Sequence, residues 1–267
     1  MLLKIKPTKI SIYTANGKLT CAQVRKKTGC DICINGTLYN MKTYAPVCDV
    51  KIDGKVLSDD QYKYLGYGWN KGEHRAVVST EMTKWDNYIS CIMMINNGSA
   101  IDMYYSKDVG GKRGRTAFGY KADGTMVIYC YKDSSSGACT PEQLQSKMLS
   151  YGCVDAICLD GGGSSQIDSD FGKVTSSRKV ANYICIWTND CPYSEPTKTI
   201  KKNSCGSGAK WVQWHLNKVD NASLAVDGIF GKGSLAALKK FQESNNLKPD
   251  GLCGPSTRAA LKKLLKG

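Results

Sequence analysis

An α+β fold in two parts is what the sequence predicts: a mixed-sheet domain over residues 1–187, then a small three-helix bundle over residues 209–267. Three observations predict it. Short runs rich in Ile, Val and Tyr alternate with turn residues through the first part, the pattern of strands. The stretch TNDCPYSEPTKTIKKNSCGSG, residues 188–208, loses apolar periodicity and reads as a linker. Beyond it, a motif occurs twice, about 23 residues apart.

In the first part, strands are expected at Leu3–Tyr13, Asp31–Leu38, Ala76–Ser79, Ile89–Ile95, Ala117–Tyr120, Met126–Tyr131 and Ala181–Trp187. Lys121-Ala-Asp-Gly-Thr125 joins two of these as a hairpin turn. Thr140-Pro-Glu-Gln143 opens a helix, with Thr as N-cap, Pro at the first position and Gln completing a capping box. Ala156-Ile-Cys-Leu159 follows as a short buried strand. This domain falls well short of the roughly 250 residues of a (β/α)8 barrel, which counts against barrel-type muramidases.

In the second part, Leu224-Ala-Val-Asp-Gly-Ile-Phe-Gly231 is echoed by Leu247-Lys-Pro-Asp-Gly-Leu-Cys-Gly254. Each Asp-Gly pair makes a tight turn. Helices are expected after each, with Ser234 and Ser256 as N-caps, and a first helix spans Lys210 to Val219. This order of helix, VDGIFG turn, helix, PDGLCGPST turn and helix resembles the peptidoglycan-binding-domain-1 family over nearly its whole length. The resemblance implies a shallow groove for sugar and peptide, with Trp211, Trp214 and Phe230 as stacking surface for wall polymer.

Composition narrows the partners. The 267 residues carry 37 Lys and Arg against 23 Asp and Glu, a formal charge of +14. Such a charge suits polyanions, phosphate-bearing wall polymers among them. No nucleic-acid motif is present, and no apolar run reaches the roughly 18–20 residues of a membrane span. Lys4 interrupts the start too early for a secretory signal, so synthesis in a host cytoplasm without a signal peptide and action at the bacterial wall are expected.

The thirteen cysteines read mostly as buried thiols in a reducing compartment, several of them inside apolar runs such as Ile32-Cys-Ile34 and Ile184-Cys-Ile186. Cys30-Asp-Ile-Cys33 has the CxxC spacing of redox and zinc sites, yet no second CxxC follows and His74 and His215 are the only histidines. No metal and no cofactor is therefore expected. Zinc amidases need several His ligands, and a Cys–His peptidase would need His74 as base.

Asp160-Gly-Gly-Gly-Ser-Ser165 follows the buried strand directly. A carboxylate at a strand end can act as base, nucleophile or orienting acceptor. Glycines allow close backbone approach, and successive N–H groups can form an anion-binding nest. Arg115-Thr-Ala-Phe-Gly119, Arg178-Lys-Val-Ala-Asn182 and Ile34-Asn-Gly-Thr-Leu-Tyr39 complete a set of motifs. In this order they resemble the phosphodiester glycosidase family, whose animal member uncovers mannose 6-phosphate by removing N-acetylglucosamine. One departure is Thr37, where the family usually has a second glycine after Asn-Gly.

The resemblance implies a pocket built from Asn35, Gly36, Arg115, Asp160, Gly161, Gly162, Gly163, Ser164, Ser165, Arg178 and Asn182. Arg115 and Arg178 suit a phosphate leaving group, because guanidinium meets phosphate bidentately. Asp160 would attack or stabilise the oxocarbenium-like centre. A glycosidase of ordinary type needs a second carboxylate, for which Glu73 is the candidate and Asp168 another. The expected function is a bacterial cell-wall hydrolase of endolysin type, acting on a glycosidic or sugar-phosphodiester bond of an N-acetylhexosamine. Its expected partners are peptidoglycan or a phosphate-bearing wall polymer, with no nucleic acid and no membrane. The alternative is a non-catalytic wall-glycan-binding protein.

Overall fold

The computed structural model describes residues 1–59 and 65–266. The chain divides into two compact units, Met1–Thr188 and Asn189–Gly267.

Three sheets build the first unit. The six-stranded one has the neighbour order Leu2–Ile5, Met126–Tyr131, Arg115–Lys121, Cys153–Cys158, Ile92–Asn96, Ser99–Ala100. A five-stranded sheet runs Gly172–Val174, Ile167–Ser169, Ile32–Asn35, Asn182–Thr188, Pro7–Thr14. A second five-stranded sheet runs Lys55–Ser58, Val50–Ile52, Asn87–Ser90, Gly66–Trp69, Val77–Ser79. Among the described residues the strands pair antiparallel throughout. Two runs that read as single strands are each split between sheets. The first breaks at Lys6, before Pro7, which has no N–H for a ladder. The second breaks at Cys91, between Ser90 and Ile92.

One core takes side chains from all three sheets, including Trp69, Phe118, Ile157, Ile32 and Ile184. The Ile32–Asn35 sheet has a second apolar face. Side chains alternate along its strands, so Ile184 and Ile186 enter the main core while Tyr183, Cys185 and Trp187 enter a smaller one. Helix α1, Cys21–Thr28, covers that smaller core with Cys21 and Val24. Helix α2, Pro141–Ser150, starts at the expected Thr140 cap, with both halves of the capping box formed. The hairpin at 121–125 closes through Lys121 N to Thr125 O at 2.8 Å, with Gly124 at φ 80°.

The second unit holds α3, Ser207–Asp220, α4, Lys232–Ser244, and α5, Pro255–Lys266. The last two begin earlier than expected: Gly231, not Ser234, is the N-cap of α4, and Pro255 opens α5. Ser234 is released from capping and accepts from Gln213 Nε2 at 3.1 Å. The repeat in sequence is a repeat in hydrogen bonding. Gln213 donates to Asp227 and Ile229 O, and its Oε1 accepts from Gly228 N at 2.9 Å. Gln242 donates to Asp250 and Leu252 O, and accepts from Gly251 N at 2.9 Å. Each buried glutamine staples one Asp-Gly turn.

The stretch read as a linker contributes to this unit. Ile200 is buried and bridges to Cys253, Cys205 bridges to Ile229, and Glu195 pairs with Arg258 and Lys262. Its apolar residues are too few for a periodic pattern, but Ile200, Cys191 and Tyr193 pack on the helices' core. Among the described residues no cysteine, Cys191 and Cys205 included, is in a disulfide.

Candidate active site

The Arg115–Lys121 strand lies beside Cys153–Cys158, whose end leads into Asp160. From the other sheet, Ile32–Asn35 ends beside the same loop. Asn35 ties these pieces together. Its Oδ1 accepts from Thr116 Oγ1 at 2.7 Å and Gln166 N at 3.0 Å, and its Nδ2 donates to Asp160 O at 2.8 Å. Asp160 N donates to Gly36 O at 3.0 Å. Gly36 has no room for a side chain, because a Cβ there would fall 1.7 Å from Asn182 Oδ1. Thr37, the family departure, exchanges two hydrogen bonds with Asn182, through Thr37 N to Oδ1 and Nδ2 to Thr37 Oγ1.

These contacts frame a cavity of about 680 Å³. Asp160, Gly161, Gly162, Gly163, Arg115 and Arg178 line it. Asn35, Gly36, Ser164, Ser165 and Asn182 do not; they stand behind the wall as its scaffold, with Asn35, Ser164, Ser165 and Asn182 all buried. The expected anion nest is not formed. Gly161 N donates to Asp160 Oδ1, Gly162 N to Gly114 O, Ser164 N to Gly161 O and Ser165 N to Gly162 O. The glycines instead permit close packing between neighbours. A Cβ on Gly161 would lie 2.8 Å from Gly114 O, and one on Gly163 3.0 Å from the Arg178 guanidinium. Ser165 Oγ is buried with no hydrogen-bond partner.

The two arginines differ. Arg115 is 1% exposed, and its guanidinium donates to Cys139 O at 3.0 Å, Val109 O at 3.0 Å and Gly111 O at 2.7 Å. It binds the 109–111 loop, so the expected phosphate-holding role does not fit its contacts. Arg178 is half-buried, and its Nη1 donates to Ser164 Oγ at 3.3 Å. Gln166 Nε2 holds the Arg178 carbonyl at 2.9 Å.

Burial raises the Asp160 carboxyl above the ordinary aspartate value, against the lowering pull of the Ser164 hydroxyl, Gly161 N–H and Arg178. Glu73 does not line this cavity. It is exposed, and its carboxylate accepts from Asn70 N at 2.7 Å within its own loop. Asp168 does not line it either, being paired with Arg25 at 3.1 Å and Lys173 at 2.9 Å.

Residues 28–187 match the family model described as phosphodiester glycosidase. The chain belongs to the phosphodiester glycosidase family. Residues 205–261 match the model of a putative peptidoglycan binding domain. Among solved structures, its fold is similar to the zebrafish N-acetylglucosamine-1-phosphodiester alpha-N-acetylglucosaminidase catalytic domain, auto-inhibited by its pro-peptide. That likeness has a TM-score of 0.55 at 16% identity, over 67% of this chain and 72% of that one. A hypothetical protein from Synechocystis gives 0.58 at 10% identity, over 70% and 58%. A prophage-derived uncharacterised protein of Bacillus subtilis (strain 168), from SPbeta, is 44% identical over 61 residues, which is 22% of this chain. The match spans only 10% of that relative's length.

Besides Asp160, two carboxylates line the cavity, Asp133 and Asp108, and both lie outside the motifs legible in the sequence. Asp133 Oδ1 accepts from Gly114 N at 2.6 Å. Lys112, Arg113 and Tyr39 line the cavity as well. Tyr39 had a visible signal, since it ends the Ile34–Tyr39 motif. Asp133 had one too: it sits two residues past Tyr131, the register partner of Arg115.

In the helical unit, Trp211, Trp214 and Phe230 are 3%, 4% and 0% exposed, so they cannot stack on wall polymer. Trp211 lies 3.7 Å from the His215 ring, and Phe230 is in the core. Among the described residues, the exposed large apolar side chains of this unit are Ile229 and Leu252, at the same place in the two repeats, and Leu264 on α5. Leu252 lines a groove with Asn246, Lys248, Asp250 and Ser256.

Proposed function

We propose that the protein releases an N-acetylhexosamine from a phosphodiester-linked position on a bacterial wall polymer, and that its helical unit holds it on peptidoglycan. The observation that carries this reading is one cavity in which a half-buried Asp160 faces the same space as Arg178, Arg113 and Lys112. Cleaving a sugar from a phosphodiester expels a phosphate, which needs charge stabilisation more than protonation. Arg178 is the cation best placed for it, because Ser164 fixes one edge of its guanidinium beside Gly163. Asp160 acts at the anomeric carbon, with one oxygen oriented by Gly161 N. Asp133 takes the place expected for Glu73 as the second carboxylate, held by Gly114 N.

Tethering raises the local concentration of enzyme at an insoluble polymer. The prophage origin of the Bacillus relative supports a phage-borne wall hydrolase, and the net charge of +14 suits a phosphate-rich wall.

The test incubates wild type and Asp160→Asn with Gram-positive walls and with an N-acetylglucosamine-1-phosphodiester, and identifies released products by mass. Free N-acetylhexosamine from the wild type alone supports the proposal. Muropeptides would move the cleaved bond to the glycan strand. Wall binding with no product from either protein would leave a non-catalytic glycan-binding protein.

A further inference from the structure

The sheet that carries Asn35 has isoleucines on one face and cysteines on the other. Cys33 and Cys185 are register partners on adjacent strands. Cys30 enters from the turn after Gly29, the left-handed C-cap of α1 at φ 68°. The three sulfur atoms lie within 4.8 Å of one another, and the residues are 4%, 0% and 1% exposed. Cys185 is the ligand that the linear CxxC spacing could not show.

We propose that Cys30, Cys33 and Cys185 form a site for one thiophilic divalent cation of the zinc class, which clamps α1 and the turn after it to the sheet. Three thiolates at about 2.3 Å from such an ion stand about 4 Å from each other, inside the observed spacing. A disulfide requires roughly 2.05 Å, and all three are free thiols. Packing of small apolar side chains does not require three sulfurs to converge. Cys21, the first residue of α1, lies beside this group and donates from its Sγ to Cys33 O at 3.0 Å. As each ligand coordinates, its S–H bond breaks and the proton leaves to solvent, with no electron transferred.

The clamp has a place in the molecule's work. Two residues after Cys33 on the same strand is Asn35, whose Nδ2 holds the Asp160 carbonyl. An ion at the cysteines therefore fixes the strand on which the active-site loop hangs. The site does not depend on what the cavity cleaves.

The experiment uses the full chain, purified in reducing buffer. Metal content is measured by mass spectrometry, and the metal-free protein is titrated with Co²⁺ while the thiolate-to-cobalt absorption band is followed. One ion per chain is expected, with a band lost in Cys185→Ser and in Cys30→Ser and kept in Cys205→Ser, whose thiol is exposed. Chelation should lower the wild-type melting midpoint by roughly 5 °C and leave Cys30→Ser unmoved. In case a serine variant fails to fold, alkylation of the wild type gives an independent reading: Zn²⁺ should protect Cys30, Cys33 and Cys185 as a set. Wild type that takes up neither Zn²⁺ nor Co²⁺ overturns the proposal. So does a cobalt band that survives in both serine variants.

Discussion

The glycine run at 161–163 lies between two arginines that do opposite things. On one side, Arg115 is sealed from solvent and gives its N–H groups to three carbonyls from two separate segments. On the other, Arg178 rests one nitrogen on Ser164 and turns the remainder of its charge to the cavity. Both follow the same logic of a guanidinium beside a carboxylate loop, and both suited phosphate by residue type. Environment separates them. A buried cation must be matched by acceptors, and carbonyls that lose their donor inside a protein are left unsatisfied. One arginine builds the cavity; the other is available to a substrate in it.

The largest effect expected is at the carboxylate that both walls surround. Asp160→Asn should lower turnover by about 10³-fold or more while the fold remains. The stability sign is specific. The folded-state pKa of Asp160 is raised by burial, so between the ordinary aspartate value and that raised value the folded chain holds a proton that the unfolded chain has lost. Wild-type stability therefore falls as pH rises through this window, and the asparagine variant is spared. Melting midpoints should show the variant equal to or above wild type at pH 7, with the difference closing near pH 3. A variant that melts well below wild type at neutral pH would show Asp160 to be a structural residue.

Arg115→Ala comes next and should act through stability. Removing the donor of three buried carbonyl contacts should cost about 3 kcal/mol, read as a melting midpoint lowered by roughly 6–12 °C. Lysine should not restore it, since an ammonium cannot reproduce the planar fork. Arg178→Ala should instead lower kcat/KM by about 10²-fold and move the midpoint by no more than about 2 °C. Here lysine should recover part of the rate, because the charge that faces the cavity is kept. If Arg178→Ala unfolds as readily as Arg115→Ala, the distinction between the two walls fails.

How much of this was legible depended on range. The Thr140 capping box and the hairpin turn at 121–125 obey rules that act over three or four residues, and both are present. The Asp-Gly repeat was visible because it recurs, although the glutamines that staple its turns were not singled out. Asn35 was placed in the pocket by motif order, yet its partners Thr116, Asp160 and Gln166 are 81, 125 and 131 residues away, and only the fold reveals a scaffold rather than a ligand contact. The three aromatics of the helical unit suit sugar stacking by chemistry, but Trp211 and Phe230 pack with Val212, Leu238 and Phe241 in that unit's core. Cys185 stood in an apolar run that hid its alignment with Cys33.

The smallest expected effect concerns Glu73, and it tests the choice of carboxylates. Sequence order placed an acid in a Gly-Glu-His-Arg turn where a second carboxylate was wanted, and nothing in the local pattern distinguishes a catalytic acid from a turn acid. In the fold, the Glu73 side chain closes its own loop through Asn70 N, while its backbone carbonyl accepts from Ile10 N at 3.2 Å on the sheet. Glutamine keeps an acceptor for Asn70 N, so Glu73→Gln should leave kcat/KM within about twofold and the melting midpoint within about 1 °C. Asp133→Asn, beside Gly114 and inside the cavity, should lower kcat/KM by about 10²-fold under the same assay. Reversal of these two results would return the second-carboxylate role to Glu73. That would require the 70–73 loop to enter the cavity when substrate binds, a movement that crosslinking the loop in place would then abolish.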